Sequence, residues 1–340
     1  MTGPLRVVSI GGGHGLSALL EGLRKYTHPQ HTRKGPDEPF VDITAIVTVT
    51  DDGGSSGRLR REFDVLPPGD IRNCMVALSD DGALLSRLFQ YRFKAGRGLK
   101  GHSFGNLFLT ALTDITGDFP DAVRSSAEVL KIAGRIFPST AANVSLEAVL
   151  ENGAVVSGET RISRSRSRIC EIRLRPSRAR PLQETLDAIA CADLITLGPG
   201  SLFTSLIPNL LVAGIPTAIR RSGALKAYFV NMMWQPGETT NFSASDHVQA
   251  LHDHAGGKLV DCVVVNRSAI APATRRRYAE QNAAPVECDI PELESMGVEV
   301  LTADLLQKGA KVRHNPDTAA RVAVDLALRG REKRMAELRH

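Results

Sequence analysis

Residues 5–20, LRVVSIGGGHGLSALL, constrain the fold more than any other stretch. Leu5 to Ile10 is a short apolar run rich in β-branched residues. It breaks into Gly11-Gly12-Gly13-His14-Gly15, and apolar residues resume at helical spacing from Leu16 to Leu23. Strand, glycine turn and helix open the nucleotide site of a doubly wound α/β domain. Glycine tolerates positive φ and lets a ligand approach the backbone. The free N–H groups at the helix start then face an anion, commonly a phosphate. Gly13 to Ala18 fits G-x-G-x-x-A, a pattern that also suits a plain strand-to-helix turn. Gly12, Gly13, His14 and Gly15 are therefore candidates whose standing depends on the remaining chain.

At 340 residues, 42% apolar and 23% charged, the chain is sized for a large α/β core and has the composition of an ordinary soluble protein. No secretory signal precedes the first strand, and no apolar run approaches the roughly 18 residues of a membrane helix. A cytoplasmic protein without a membrane span is the expectation. Five scattered cysteines with no C-x-x-C pair argue against a disulfide framework or a metal cluster. The net charge of +5 suits an anionic ligand without demanding nucleic acid.

Residues 26–41 are polar and proline-bearing and read as an exposed loop. Ile43 to Val49 reads as a second strand, ending in Thr50-Asp51-Asp52-Gly53-Gly54-Ser55-Ser56-Gly57-Arg58. Ligands bind at that edge of a parallel sheet. The paired carboxylates Asp51 and Asp52 suit Mg²⁺, which often arrives with phosphates; the alternative is a helix cap or Asx turn. With Thr50, Ser55 and Arg58 the stretch resembles an anion cradle. Asp70 precedes an apolar helical pattern from Ile71 and reads as its N-cap, while Asp70, Arg72 and Asn73 read equally well as ligand groups. Leu84 to Phe93 is a helical pattern. His102-Ser103-Phe104-Gly105-Asn106 then opens another helix, where His102, Ser103 and Asn106 offer polar groups to an anion. His102 is either a general acid or base or a capping residue.

Further on, Asp121 to Ile132 reads as a helix, residues 135–140 as a connection, and Val144 to Leu150 with Ala154 to Glu159 as two strands. Residues 161–180 carry eight arginines against one acid. There Cys170, Ile172 and Leu174 alternate with charged residues, the period-2 signature of a half-buried strand. No aromatics interleave the arginines, so a solvated, aggregation-resistant edge outweighs a nucleic-acid contact. Residues 182–192 form an amphipathic helix and Leu194 to Leu197 a buried strand. A third glycine loop follows, in which Gly198, Gly200, Ser201 and Thr204 suit a pyrophosphate. Thr217 to Ile219 and Tyr228 to Met233 read as strands, the second leading into a polar loop containing Gln235. Asp246 and His247 read as caps of the next helix. Leu259 to Asn266, Val286 to Asp289 and Val298 to Leu301 complete the strands. Arg313 and His314, before the last helix, are surface residues or anion contacts. No repeat or linker divides the chain. One domain over residues 1–330 is expected, with a hairpin insertion at about 150–180 and a charged tail at 331–340.

Four glycine-bearing loops thus sit at strand C-terminal ends. The ordered set GGGHG, VTVTDDGGSSGRLR, PPGDIRN, HSFGN, GPGSLFTSL and QPGET resembles the bacterial gluconeogenesis factor family, the YvcK-like proteins related to 2-phospho-L-lactate transferase (CofD-like), over roughly residues 5–330. The resemblance implies a Rossmann-like three-layer α/β sandwich with a mainly parallel sheet. It also implies a cytoplasmic protein needed for cell shape and for growth on gluconeogenic carbon. YvcK-like proteins bind UDP-sugars, notably UDP-N-acetylglucosamine, as regulators with no established reaction. The transferase branch moves a phospholactyl group from a guanosine diphosphate carrier to a deazaflavin alcohol, with Mg²⁺. By position its metal aspartates fall on Asp51 and Asp52, and the UDP-sugar arginine of the VRH motif falls on Arg313. Trp234 departs from the family, which more often has a small polar residue before QPGET. A homo-oligomer and protein partners in cell-wall regulation are further expectations.

Three functions follow. The first is a sensor whose Gly11–Gly15 and Gly198–Ser201 amides hold a diphosphate, with Arg58 or Arg313 adding charge-assisted bonds. The second is a Mg²⁺-dependent transferase acting on a nucleotide diphosphate. NAD-dependent redox chemistry is third, because no acidic residue stands about 20 positions after the first glycine loop to hold a ribose.

Overall fold

A computed structural model describes residues 3–27, 39–79, 84–165 and 167–337 of the chain. Most of the loop expected at 26–41 lies outside the described residues. Among the described residues ten strands form in chain order: β1 (Leu5–Gly11), β2 (Val41–Val47), β3 (Arg135–Pro138), β4 (Ser145–Leu150), β5 (Val155–Ser157), β6 (Ile169–Arg175), β7 (Leu194–Leu197), β8 (Leu225–Phe229), β9 (Cys262–Asn266) and β10 (Glu299–Ala303).

Seven of them make one sheet in the order β10-β9-β8-β7-β1-β2-β3, and every neighbouring pair is parallel. Parallel sheets need helices on both faces, which explains why Leu194–Leu197 and Leu225–Phe229 are buried along their whole length. Polar positions inside this layer pair with each other: Thr196 Oγ1 donates to Ser9 Oγ at 2.9 Å between the adjacent strands β7 and β1. The strand order reverses beside β1, which has β2 on one flank and β7 on the other. This is the Rossmann-like three-layer arrangement that the sequence implies.

Helices Gly13–Arg24 and Gly69–Leu78 pack on one face together with Pro316–Glu337. The last helix approaches the first so closely that a β-carbon on Gly22 would overlap the Pro316 carbonyl. The same helix continues past residue 330 and is fastened there. Arg331 and Arg334 reach the fully buried Asp193 carboxylate at 2.7 and 2.5 Å, and the Arg6 N–H donates to it at 2.8 Å. The smaller sheet, β5-β4-β6, is antiparallel and carries the arginine-rich segment. Its Arg173 and Arg175 are paired with Glu171 and Glu147 at 2.6 and 2.8 Å.

Several local expectations are corrected. Thr217 to Ile219 belongs to helix Ile215–Arg221, not to a strand, because Pro216 starts a helix after Gly214 and buries Ile215 and Ile219 one turn apart. Residues 135–138 form an edge strand on β2, and Val286 to Asp289 makes only an isolated bridge through Glu287. Cys170 faces solvent although Ile169, Ile172 and Leu174 face inward, since the β4–β6 register shifts at Val149/Leu150. Asp70 lies in the first turn of Gly69–Leu78, whose N-cap is Pro68. Ser243 caps helix Ala244–Ala255 in a capping box with Asp246, and the buried His247 bonds the Ser243 carbonyl instead of capping. Among the described residues no single helix is long and apolar enough to cross a membrane.

Candidate functional site

The C-terminal ends of β1, β2, β7 and β8 meet where the strand order reverses, the place at which doubly wound sheets bind ligands. A cleft of about 1090 Å³ opens there. Its floor is the first glycine loop. Gly13 has φ +63°, a conformation that favours glycine. A β-carbon on Gly12 would stand 2.6 Å from Asp70 Oδ2 and 2.7 Å from Thr48 Cγ2. One on Gly15 would run into the Pro199 carbonyl. The glycines therefore let three segments close on one another as well as exposing backbone N–H groups.

Thirteen of the sequence-derived candidates line this one cleft: Gly12, Gly13, His14, Gly15, Asp51, Ser55, Asp70, Asn73, Asn106, Gly200, Ser201, Gln235 and Arg313. Gln235 Nε2 donates to Ser201 Oγ at 2.7 Å, tying the fourth loop to the third. Partial burial, then the positive charges of Arg313, Arg72 and Lys311, hold the His14 imidazole below its ordinary pKa. Arg72 and, from late in the chain, Arg313 line the cleft with it.

The other seven candidates are turned to support. Thr50 pairs with Thr48 at 3.0 Å between their hydroxyls. Asp52 accepts from the Thr160 N–H at 2.9 Å and the Thr160 hydroxyl at 2.6 Å, away from the cleft, so Asp51 and Asp52 are not a facing pair. Arg58 donates to the Lys100 carbonyl at 2.9 Å. His102 Nδ1 lies 2.9 Å from Ser55 Oγ, and Ser103 caps helix Phe104–Thr116 by accepting from the Asn106 N–H. Gly198 makes the turn after β7 at φ +75°, and Thr204 donates to Glu238 at 3.1 Å. Adjacent residues in a loop or strand end point in different directions, which is why each motif contributes only some of its members.

Arg72, read with Asp70 and Asn73 as a ligand group, lines the cleft too. Residues missed as site members matter as much: Ser56, Glu159, Ser205 and Asn231 line the cleft. Glu159 carried no signal, because it starts the short helix Glu159–Ile162 that returns from the hairpin. The Asn106 side-chain oxygen and Arg72 Nε are buried without a hydrogen-bond partner among the described residues.

The electrostatics are two-sided. Burial and Asp51 push Asp70 up to about 7, against the Gly13 N–H and Arg72, which favour its charged form. Burial, then Asp51, Asp70 and Glu238, push Glu159 up to about 9. Asp51 is raised chiefly by burial, despite its hydrogen bond from the Gly53 N–H at 2.8 Å. Among the described residues no group of three or more His, Cys, Asp or Glu side chains is arranged to ligate a metal. Asp51, Asp70 and Glu159 face the cleft singly, and a lone carboxylate with water and phosphate oxygens is a common Mg²⁺ contact.

A parallel sheet with a glycine-walled, cation-bearing cleft at its reversal point defines a Rossmann-like α/β protein. Comparison with known proteins makes this specific. A family profile described as 2-phospho-L-lactate transferase CofD matches residues 7–306. A gluconeogenesis factor of Bacillus subtilis is 47% identical over 322 residues, covering 94% of this chain and 98% of that protein. One of Halalkalibacterium halodurans is 45% identical over 310 residues, covering 91% and 92%. A crystal structure of a UPF0052 family member from Bacillus halodurans superposes with a TM-score of 0.88 at 43% identity, covering 96% of this chain and 99% of that one. The chain belongs to the CofD family, among the relatives named gluconeogenesis factors.

Proposed function

We infer that the chain is a cytoplasmic regulator that binds a nucleotide sugar of the UDP-N-acetylglucosamine type and serves cell shape and growth on gluconeogenic carbon. One observation carries this reading: Gly12–Gly15, Gly200 and Arg313 line the same cleft. Backbone N–H groups at a helix start and a guanidinium are complementary to a diphosphate. To signal, the ligand has to favour one conformer over another. Isothermal titration with UDP-N-acetylglucosamine tests the reading: wild type binds, Arg313→Ala binds on the order of tenfold or more weakly, and the ligand is recovered intact after incubation with Mg²⁺. Absence of binding in wild type overturns it.

A second reading, a Mg²⁺-dependent transferase on a nucleotide diphosphate, is favoured by Asp51, Asp70 and Glu159 facing the cleft together. Asp51 would give one carboxylate to Mg²⁺, which takes its other oxygens from water and the phosphates and when bound neutralises phosphate charge and polarises a phosphoryl oxygen. The chain's own residues would orient the diphosphate, and Arg72 would offset its charge. Turnover of a nucleoside diphosphate conjugate that disappears in Asp51→Asn would establish this reading over the first.

A further inference from the structure

A separate cavity of about 400 Å³ lies between the arginine-rich hairpin and the loop that follows β8, and it shares no lining residue with the main cleft. Glu151, just after β4, and Arg168, just before β6, line it from the hairpin, and Thr240, Asn241 and Phe242 line it from the loop. The two segments are built against each other. Gly237 has φ +85°, and a β-carbon there would overlap the Ser163 and Ser165 carbonyls. Arg168 stands apart from the other arginines of the hairpin. Arg173 and Arg175 are paired with glutamates, whereas the Arg168 guanidinium makes no hydrogen bond or ion pair among the described residues. It lies instead over the Phe242 ring, 5.4 Å from its centre. The Glu151 carboxylate likewise has no hydrogen-bond or ionic partner among the described residues. We propose that this cavity is a second ligand site, for a small zwitterion of the α-amino-acid class with a neutral or basic side chain.

Opposite charges that line one cavity without pairing to each other are complementary to a ligand that bears both. The Arg168 fork matches a carboxylate in two parallel hydrogen bonds, and Glu151 accepts from an ammonium group. Packing over Phe242 holds the guanidinium in place by a cation–π contact, so less freedom is lost when a ligand arrives. The remaining wall charges set the side chain. Glu238 and Asp246 also line the cavity, and both are already hydrogen-bonded. Glu238 accepts from the Ser163 and Thr204 hydroxyls at 3.1 Å each, and Asp246 from the Ser243 N–H at 2.9 Å. Three carboxylates against one guanidinium repel an acidic side chain and favour a neutral or basic one. The Thr240 hydroxyl and the Asn241 amide have no hydrogen-bond partner among the described residues and are open to the ligand's polar groups. None of this rests on the nucleotide-sugar reading.

Isothermal titration of the full chain, free of nucleotide, with L-lysine, L-alanine and L-glutamate tests the site. L-lysine and L-alanine are expected to bind, and L-glutamate to bind more weakly than either. Arg168→Ala and Glu151→Gln, both at exposed positions, are each expected to weaken L-lysine binding on the order of tenfold or more, with the urea midpoint near wild type. Arg168→Lys keeps the charge but loses the fork and is expected to retain part of the affinity that Arg168→Ala loses. Three results each overturn the assignment. The first is no binding of L-lysine or L-alanine up to about 10 mM. The second is L-glutamate binding as tightly as L-lysine, and the third is L-lysine affinity unchanged in either Arg168→Ala or Glu151→Gln.

Discussion

Asp70 Oδ2 occupies the space beside Gly12, 2.6 Å from where a β-carbon on residue 12 would be. The first glycine loop and the GDIRN helix start are therefore built against each other. Gly12→Ala has to push Asp70 or Thr48 aside, a repacking that typically costs about 1–3 kcal/mol. The expected result is a lower midpoint in urea denaturation and weakened binding of UDP-N-acetylglucosamine by titration. An alanine variant with wild-type stability and affinity would show that the loop yields freely.

The raised carboxyls fix the sign of the pH dependence. Glu159 titrates from an ordinary 4.5 to about 9 in the folded protein, so between those values the native state holds a proton that the unfolded chain has lost. Stability of the ligand-free protein then falls as pH rises through that window. Asp70, pushed to about 7, adds in the same direction over its lower part. Thermal melts from pH 5 to pH 9 are expected to decline, and Glu159→Gln is expected to flatten the decline. A slope that steepens in the Gln variant contradicts this.

Asp51 and Asp52, neighbours in sequence, should separate in experiment. Asp52→Asn weakens the acceptor for Thr160 and is expected to lower stability by about 1–2 kcal/mol, with nucleotide affinity near wild type. Asp51→Asn is expected to change affinity and its Mg²⁺ dependence while unfolding near the wild-type midpoint. Equal behaviour of the two variants would restore the facing pair that the structure divides.

Asp193 is the buried anchor of the last helix. Replacing it with alanine strands Arg331 and Arg334, and loss of one partner from a buried ion pair costs about 3–5 kcal/mol. Chemical denaturation should show a loss of that size, and limited proteolysis should release the segment after residue 316. Loss below about 1 kcal/mol would place the helix's hold in its apolar face instead.

Much of the cleft's lining was legible because several glycine loops each follow a β-branched run, although any one of them also suits a plain strand-to-helix turn. The loops after β1, β2, β7 and β8 all fall at the sheet's reversal, and Arg313 joins them from the far end of the chain. Within each loop the sequence was less informative. Nothing in DDGG distinguishes Asp51, which faces the cleft, from Asp52, which is taken by a partner 108 positions away. Glu159 was invisible for the same reason: its role depends on where a hairpin returns, which no local pattern encodes. Thr217 to Ile219 shows the opposite failure, since β-branching predicted a strand where Pro216 and burial one turn apart impose a helix.

The contact of Gly22 with the Pro316 carbonyl has a consequence for how the protein is made. It joins the first helix to the segment bearing Arg313, so the binding cleft is walled by residues synthesised at opposite ends of the polypeptide. A nascent chain stalled before residue 313 would hold every glycine loop and still lack a wall of the cleft. A ligand of the kind proposed above would meet a complete cleft only after the last helix has docked against Gly22.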